Sequence, residues 1–244
     1  MIERGDIAFL LGDWTGAQRD LEAAVALSRP LGANAPTVWL LLNLGLLSLA
    51  KGEWEMASRY LEESSALAAQ SADLLQARRC AGAALAELDL LAGRPAAARE
   101  RLTLLLDRPG LEERDVIMLL PRLAWAHLDL GDVPTAETIA AQAATRARTT
   151  ANRLALMDAL LVRALVQIQR RHWAEAEQAV EEALARDMRH PYGEARVLHA
   201  YGDLRHAKGE SGRARVCWEA ARAIFQRLGA RAEAARVDTT ITAA

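Results

Sequence analysis

Apolar residues recur along the whole chain with the three- and four-residue spacing of amphipathic helices. Leucine, alanine and arginine dominate and β-branched residues are sparse, so helix propensity agrees with the pattern. Pro121 falls inside one predicted helix and predicts a kink there. The predicted helices cover residues 2–11, 14–30, 36–51, 54–69, 73–92, 95–107, 112–130, 133–148, 152–170, 173–186, 192–208, 211–228 and 230–241.

Six segments align with one another, each centred on a short turn between two predicted helices. Their anchor residues recur at near-equal intervals and are Gly12, Gly52, Gly93, Gly131, Arg171 and Gly209. A glycine ends a helix at little cost because it readily adopts the left-handed conformation. The recurrence predicts helical hairpins over about residues 1–31, 34–70, 73–108, 111–148, 151–187 and 191–229, with a cap over 230–241.

Each repeat also places small residues where two helices are expected to approach closely. Seven residues before the anchor stand Gly5, Gly45, Ala86, Ala124, Ala164 and Gly202, and five residues after it stand Ala17, Ala57, Ala98, Ala136, Ala176 and Ala214. Four residues further on stand Leu21, Leu61, Leu102, Ala140, Val180 and Trp218, on the same helical face. These positions predict the contact between the two helices of each hairpin.

The small residues, the turns Gly12-Asp13-Trp14 and Gly52-Glu53-Trp54, and the alanine followed by a larger residue resemble the tetratricopeptide repeat. The resemblance implies an all-α fold: one domain over residues 1–244, a right-handed superhelical solenoid of about six helix-turn-helix repeats with a C-terminal capping helix. It also implies that the turn tryptophans pack inside the repeats. These are Trp14, Trp54 and Trp173.

Three features depart from the repeat pattern. The period is near 40 residues rather than about 34. Arg171 replaces the anchor glycine, and Pro95, Val133 and Ser211 replace the turn aromatic. The long period and the run AIFQRLGARAEAARV resemble the sensor arms of bacterial signal-transducing ATPases and transcription activators. No G-x-x-x-x-G-K-[ST] sequence occurs, so this second resemblance implies an isolated arm or a stand-alone relative.

Charge and composition narrow the classes of partner. The net charge of −2 and the pI near 6.2 disfavour direct binding of nucleic acid. The charged start MIERGD has no secretory apolar segment, and the uncharged stretch from Ala33 to Ala50 fits a buried repeat helix better than a membrane span. Cys80 and Cys217 fit small core residues in a reducing compartment. We therefore expect a cytoplasmic protein without membrane contact.

In the superhelix that the resemblance implies, the first helix of each hairpin lines a concave groove. We call its groove-facing positions the inward stripe; they are Asp6 and Phe9; Trp39, Leu42, Asn43 and Leu46; Ala83, Glu87 and Leu90; Met118, Arg122, Trp125 and Asp129; Asp158, Leu161, Leu165 and Ile168; and Arg196, His199, Asp203 and His206. Trp39 and Trp125 fall on it and are candidate anchors for a partner, with sideways packing on adjacent helices as the alternative. The candidate binding residues are Trp39, Asn43, Glu87, Arg122, Trp125, Arg196, His199, Asp203 and His206.

His199, Asp203 and His206 fall on one helical stripe because they are spaced i, i+4 and i+7. A single helix supplies all three, so contact with an acidic ligand, helped by Arg196, is favoured over a metal site. No nucleophile elbow or phosphate loop stands out, and we expect neither catalysis nor a cofactor. The expected function is a protein–protein interaction module that binds a protein or peptide, as the regulatory arm of a bacterial regulator. A receptor for a small-molecule effector is the alternative, and an enzyme using the His/Asp stripe is the weakest reading.

Overall fold

A computed structural model describes residues 2–32, 34–107, 111–185 and 190–244, with side chains from residue 7 onward within these ranges. The described residues form helices and contain no strand. The helices are α1 Ile2–Leu11, α2 Trp14–Ser28, α3 Asn34–Lys51, α4 Trp54–Ala68, α5 Leu75–Leu91, α6 Pro95–Leu106, α7 Glu113–Asp129, α8 Val133–Thr149, α9 Arg153–Gln169, α10 Trp173–Leu184, α11 Pro191–Ala207, α12 Ser211–Leu228 and α13 Arg231–Ala243, with a short 3-10 helix at Ala72–Leu74.

The predicted helices are confirmed, with ends that differ by one or a few residues. Successive helices pair into hairpins, so the predicted all-α repeat solenoid class is confirmed as well. The uncharged stretch forms α3 and is largely buried. Helix α7 continues through Pro121. Its kink stays a prediction, and residue 186 of the predicted helix 173–186 lies outside the described residues.

The turn between the two helices has the same geometry in every repeat. The backbone φ at the six anchors lies between 60° and 90°, and Arg171 adopts this left-handed conformation at 60° although it is not a glycine. The residue after each anchor donates its N–H to the carbonyl five residues earlier, as Asp13 does to Ala8 at 2.9 Å. This bond satisfies a carbonyl that the helix end leaves open. Asp13 and Asp132 then cap the following helix through their side chains.

The predicted small positions form the contact between paired helices. The six alanines that follow the anchors are all fully buried. A Cβ added to Gly45 would lie 2.6 Å from the side chain of Leu61, and one added to Gly202 would lie 2.3 Å from the ring of Trp218. The small residue of one helix therefore receives the large residue of the other, and the register of the repeat is set by this fit.

The turn tryptophans differ in burial. Trp14 is buried, stacks on Phe9 with ring centroids 5.8 Å apart, and donates its indole N–H to the Phe9 carbonyl at 3.1 Å. Trp173 is half-buried, and Trp54 is 39% exposed. The expected packing of Trp54 is thus weaker than that of Trp14. The position that Phe9 holds before its anchor is held by Leu49 before Gly52, so Trp54 lacks the equivalent ring.

The chain divides into two compact units, residues 1–122 and 123–244. The division falls within α7, directly after Arg122, and the single-domain expectation stays a prediction. No helix among the described residues has both the length and the apolar character that crossing a membrane requires. Cys80 and Cys217 are half-buried free thiols, and burial raises the pKa of Cys80 to about 11. Such a thiol is unreactive and fits a packing role.

Candidate functional site

In residues 1–122, the predicted site residues contact one another. Arg122 donates from Nε and Nη2 to the same Glu87 carboxylate oxygen, Oε2, at 2.8 Å and 2.6 Å. A third guanidinium nitrogen, Nη1, donates to the Met118 carbonyl at 2.8 Å. The side chain of Glu87 is only 10% exposed and that of Arg122 only 17%. This largely buried ion pair joins α5 to α7, so both groups have a structural role.

Trp39 also has a structural environment. Its ring is half-buried on α3 and packs against two apolar clusters, one with Leu42 and Leu85 and the other with Val38 and Leu74. This packing is compatible with the sideways contact on adjacent helices that was the alternative, and the anchoring role of Trp39 stays a prediction. Asn43, one turn further along α3, is half-buried.

In residues 123–244, four of the predicted site residues line one cavity of about 300 Å³. We call it the Trp125 cavity. Its apolar wall consists of Trp125 from α7, Leu161, Val162 and Leu165 from α9, and Ala200 from α11. Trp125 belongs to the inward stripe, and so do Leu161 and Leu165 of α9. Trp125 itself is half-buried against the cluster formed by α7, α8 and α9.

The polar wall of the Trp125 cavity comes from two helices. Arg196, His199 and Asp203 lie on α11, and Arg236 and Thr240 lie on α13. Two guanidinium groups therefore share this small space with one carboxylate. The lining combines hydrogen-bond donors, an acceptor and an apolar surface, which is the composition of ligand-binding pockets in general.

Arg196 is held in place by aromatic rings and an acid. Its guanidinium carbon lies 5.8 Å from the centroid of Trp125 and 5.9 Å from that of Tyr192. Its Nη1 also lies 3.4 Å from the Asp158 carboxylate on α9. Cation–π contacts of this kind fix the plane and position of a guanidinium that is only 14% exposed.

His199 is a buried imidazole between α11 and α13. Its Nε2 lies 3.4 Å from the Thr240 hydroxyl and 3.9 Å from the Asp203 carboxylate. Burial lowers the pKa of His199 below its ordinary value; the Asp203 carboxylate opposes this shift, and the Arg236 charge adds to it. The neutral form of His199 is therefore favoured in the folded protein.

Asp203 and His206 meet the same core ring. The indole N–H of Trp218 donates to Asp203 Oδ1 at 2.9 Å, and the His206 ring lies 5.5 Å from the Trp218 ring. His206 is exposed and is not part of the cavity lining. Across the described part of the chain, no three His, Cys, Asp or Glu side chains come together as a metal site.

Sequence reasoning missed the contribution of α13. It treated that helix as a cap, whereas Arg236 and Thr240 complete the cavity wall. A signal was present, because Arg236 follows Arg196 by one period of the repeat. Extending the inward stripe by one more period would have found it.

The comparisons with known proteins agree with this architecture. Residues 1–70 match the model of the tetratricopeptide repeat family. The solved structure of BtubC (BKLC) from P. vanneervenii has a TM-score of 0.57 with this chain at 20% identity, over 93% of this chain and 91% of that one. A tetratricopeptide repeat protein from Parabacteroides merdae has a TM-score of 0.45 at 18% identity, over 94% and 96%. No curated protein matches the sequence.

The family match bears on the first repeats, and the likeness to BtubC bears on the fold of nearly the whole chain. The left-handed anchors and the buried alanines that follow them recur in all six predicted repeats. Residues 1–70 therefore match the tetratricopeptide repeat family, and nearly the whole chain shares the helical-repeat fold of BtubC.

Proposed function

We propose that the protein binds a segment of a partner protein on its inward stripe, and that the Trp125 cavity is the anchoring point. The observation that carries the proposal is the convergence of first helices α7, α9 and α11 with α13 on one partly apolar cavity of about 300 Å³. The register of the repeat selects Trp125, Arg196, His199 and Asp203 as binding residues independently of this cavity.

The lining suits a polypeptide segment that brings an apolar side chain and polar groups together. An apolar side chain of the partner would lie against Trp125 and the α9 leucines, and the arginines and Asp203 would bind its polar atoms. Peptide-recognition grooves of helical proteins work in this way, with apolar anchors for affinity and polar contacts for orientation.

The test compares two tryptophans. Partners captured from the native host by the immobilised chain are identified, and their affinities are then measured for the wild type, Trp125→Ala and Trp54→Ala. Loss of an anchor aromatic should weaken binding by about 2 kcal/mol or more, roughly 30-fold. Trp54, exposed on α4 in the other unit, is the matched control and should leave the affinity unchanged. Equal affinities for Trp125→Ala and wild type would contradict the proposal, provided that circular dichroism shows both to be folded.

The proposal extends to a biological setting: a regulatory or sensor arm of a bacterial signalling or transcription regulator. Its support is the long period of the repeat and the run at residues 223–237. An ATPase or DNA-binding domain in the same or an adjoining reading frame would support this setting. A neighbourhood without either would contradict it and leave partner binding untouched.

A second candidate function is that of a receptor for a small effector molecule. The specific observation in its favour is that the volume and mixed lining of the Trp125 cavity match the lower end of small-molecule sites, about 300 to 1,000 Å³. Mass spectrometry of the purified protein under native conditions tests it. A retained metabolite that is lost from Trp125→Ala would support this function.

A further inference from the structure

The two arginines that line the Trp125 cavity differ in their ion-pair partners. Asp158 on α9 and Arg196 on α11 form an ion pair between neighbouring first helices. Arg236 on α13 follows Arg196 after one further period of the repeat, so two arginines occupy successive steps. Arg236 pairs with Glu233 on its own helix at 2.7 Å and keeps 47% of its side chain exposed. The Arg236 side chain also lines the cavity.

The positions along the helices place the two arginines of the cavity lining apart from its carboxylate, Asp203. The contact of His199 with Thr240 places these residues at the same level of α11 and α13. Arg196 lies about one turn before His199, and Arg236 one turn before Thr240. Neighbouring helices joined by short turns alternate in direction, so α11 and α13 run the same way and both arginines lie toward the same end of the cavity. Asp203 lies one turn beyond His199, toward the opposite end.

We infer that the Trp125 cavity binds a free α-amino acid with an apolar side chain. This inference rests on the effector-receptor function above and names its ligand class. The carboxylate of the ligand binds between Arg196 and Arg236, and its ammonium binds Asp203. The side chain lies against Trp125, Leu161 and Leu165.

A different feature of the cavity accounts for the carboxylate, the ammonium and the size of this ligand. Arginine forms strong, directional hydrogen bonds with carboxylates, and here one guanidinium is already fixed by two aromatic rings. Asp203 is oriented by the Trp218 indole N–H and remains 36% exposed to accept from an ammonium. The favoured neutral form of His199 between them adds no charge. A volume of about 300 Å³ suits a ligand of amino-acid size.

The experiment measures binding of L-leucine and L-phenylalanine to the full chain by isothermal titration calorimetry. Three leucine analogues separate the two charges. L-Leucinamide keeps the ammonium, N-acetyl-L-leucine keeps the carboxylate, and 4-methylpentanoate keeps the carboxylate and the apolar chain. The inference expects saturable binding of at least one free amino acid, and at least tenfold weaker binding of all three analogues.

Variants assign the two ends of the cavity. Asp203→Asn retains an oxygen for the Trp218 bond and should weaken leucine binding at least tenfold while leaving that of 4-methylpentanoate unchanged. Arg236→Gln should weaken both ligands. Arg231→Gln, exposed on the same helix but not part of the lining, is the matched control and should change neither.

The outcomes separate this inference from the function on which it rests. If 4-methylpentanoate binds as tightly as leucine, or if Asp203→Asn leaves leucine binding intact, the amino-acid assignment is overturned while an effector site stands. If none of the free amino acids or analogues binds at millimolar concentration, the amino-acid assignment is again overturned. The metabolite search in the purified protein then decides the effector function separately.

Discussion

The inward stripe behaves differently in the two units, although the same sequence register defines it in both. In residues 1–122 the polar groups of the stripe, Glu87 and Arg122, neutralise each other and join α5 to α7. In residues 123–244 Arg196 also forms an ion pair between first helices, with Asp158, but together with Asp203 it lines a cavity. Register thus determines which face of a helix points inward. Contacts with the next helix determine whether the polar groups on that face only join two helices or also line a cavity.

The largest expected effect concerns the close helix contact in each unit. A Cβ at position 202 would lie 2.3 Å from the rigid ring of Trp218, and one at position 45 would lie 2.6 Å from the flexible end of Leu61. Gly202→Ala should therefore cost about 3 kcal/mol of unfolding free energy, and Gly45→Ala about 1 kcal/mol. Chemical denaturation measures both. Equal costs would mean that the Trp218 ring moves freely, and its bond to Asp203 would then not fix the cavity.

The next effect concerns the pair that joins α5 to α7. Glu87→Ala leaves the largely buried Arg122 guanidinium without its carboxylate and should destabilise the protein by about 2 kcal/mol, a value reduced for partial exposure. Asp203→Asn in the other unit keeps its hydrogen bond and should change stability far less. If denaturant midpoints show that Asp203→Asn is the more destabilising variant, the distinction between a structural ion pair in the first unit and a binding cavity in the second is wrong.

A smaller effect concerns the anchors. The first unit has glycine at all three of its anchors, whereas the second has Arg171 at a φ of 60°. Arg171→Gly should raise the unfolding free energy by about 1 kcal/mol because glycine adopts this conformation without a steric penalty. Gly131→Ala should lower it by a similar amount. Thermal and urea unfolding of both variants would show opposite signs, and matching signs would contradict this account of the turn.

The smallest expected effect is the pH dependence that His199 contributes in the second unit. The folded pKa of His199 is lowered by burial, so the unfolded chain takes up a proton on this residue more readily than the folded chain. The stability that neutral His199 contributes is present above the unfolded pKa of about 6.5 and declines as pH falls from there toward the folded pKa. Unfolding of the wild type and His199→Gln at pH 7.5 and pH 5 tests this: the variant should lose less stability on acidification. An equal loss would contradict it.

Much of the fold could be predicted from the sequence because the same pattern of residue types recurs in each repeat. A left-handed anchor, a buried alanine such as Ala57 and a larger partner such as Leu61 recur at fixed spacing, and the recurrence corrects for any one ambiguous position. Arg171 adopts the anchor conformation although its residue type does not favour it. The geometry of the neighbouring repeats therefore overrides local preference.

The site could be predicted only in part. Trp125, Arg196, His199 and Asp203 follow from register, because register fixes the direction of a side chain from a helix. The pairing of Glu87 with Arg122 does not follow, because it depends on the distance between two helices 35 residues apart in sequence. Arg236 and Thr240 were missed because α13 was interpreted as a cap and not as the first helix of a further repeat.

The side chain of Trp218 has two structural roles, one in core packing and one in orienting Asp203. At the position where the other repeats carry leucine, valine or alanine, its ring fills the space above Gly202, and its indole N–H orients Asp203 at the cavity. A drift to leucine, tolerated elsewhere in the array, would here remove the donor together with the ring. Recognition in this unit would therefore be expected to diverge during evolution only together with core packing.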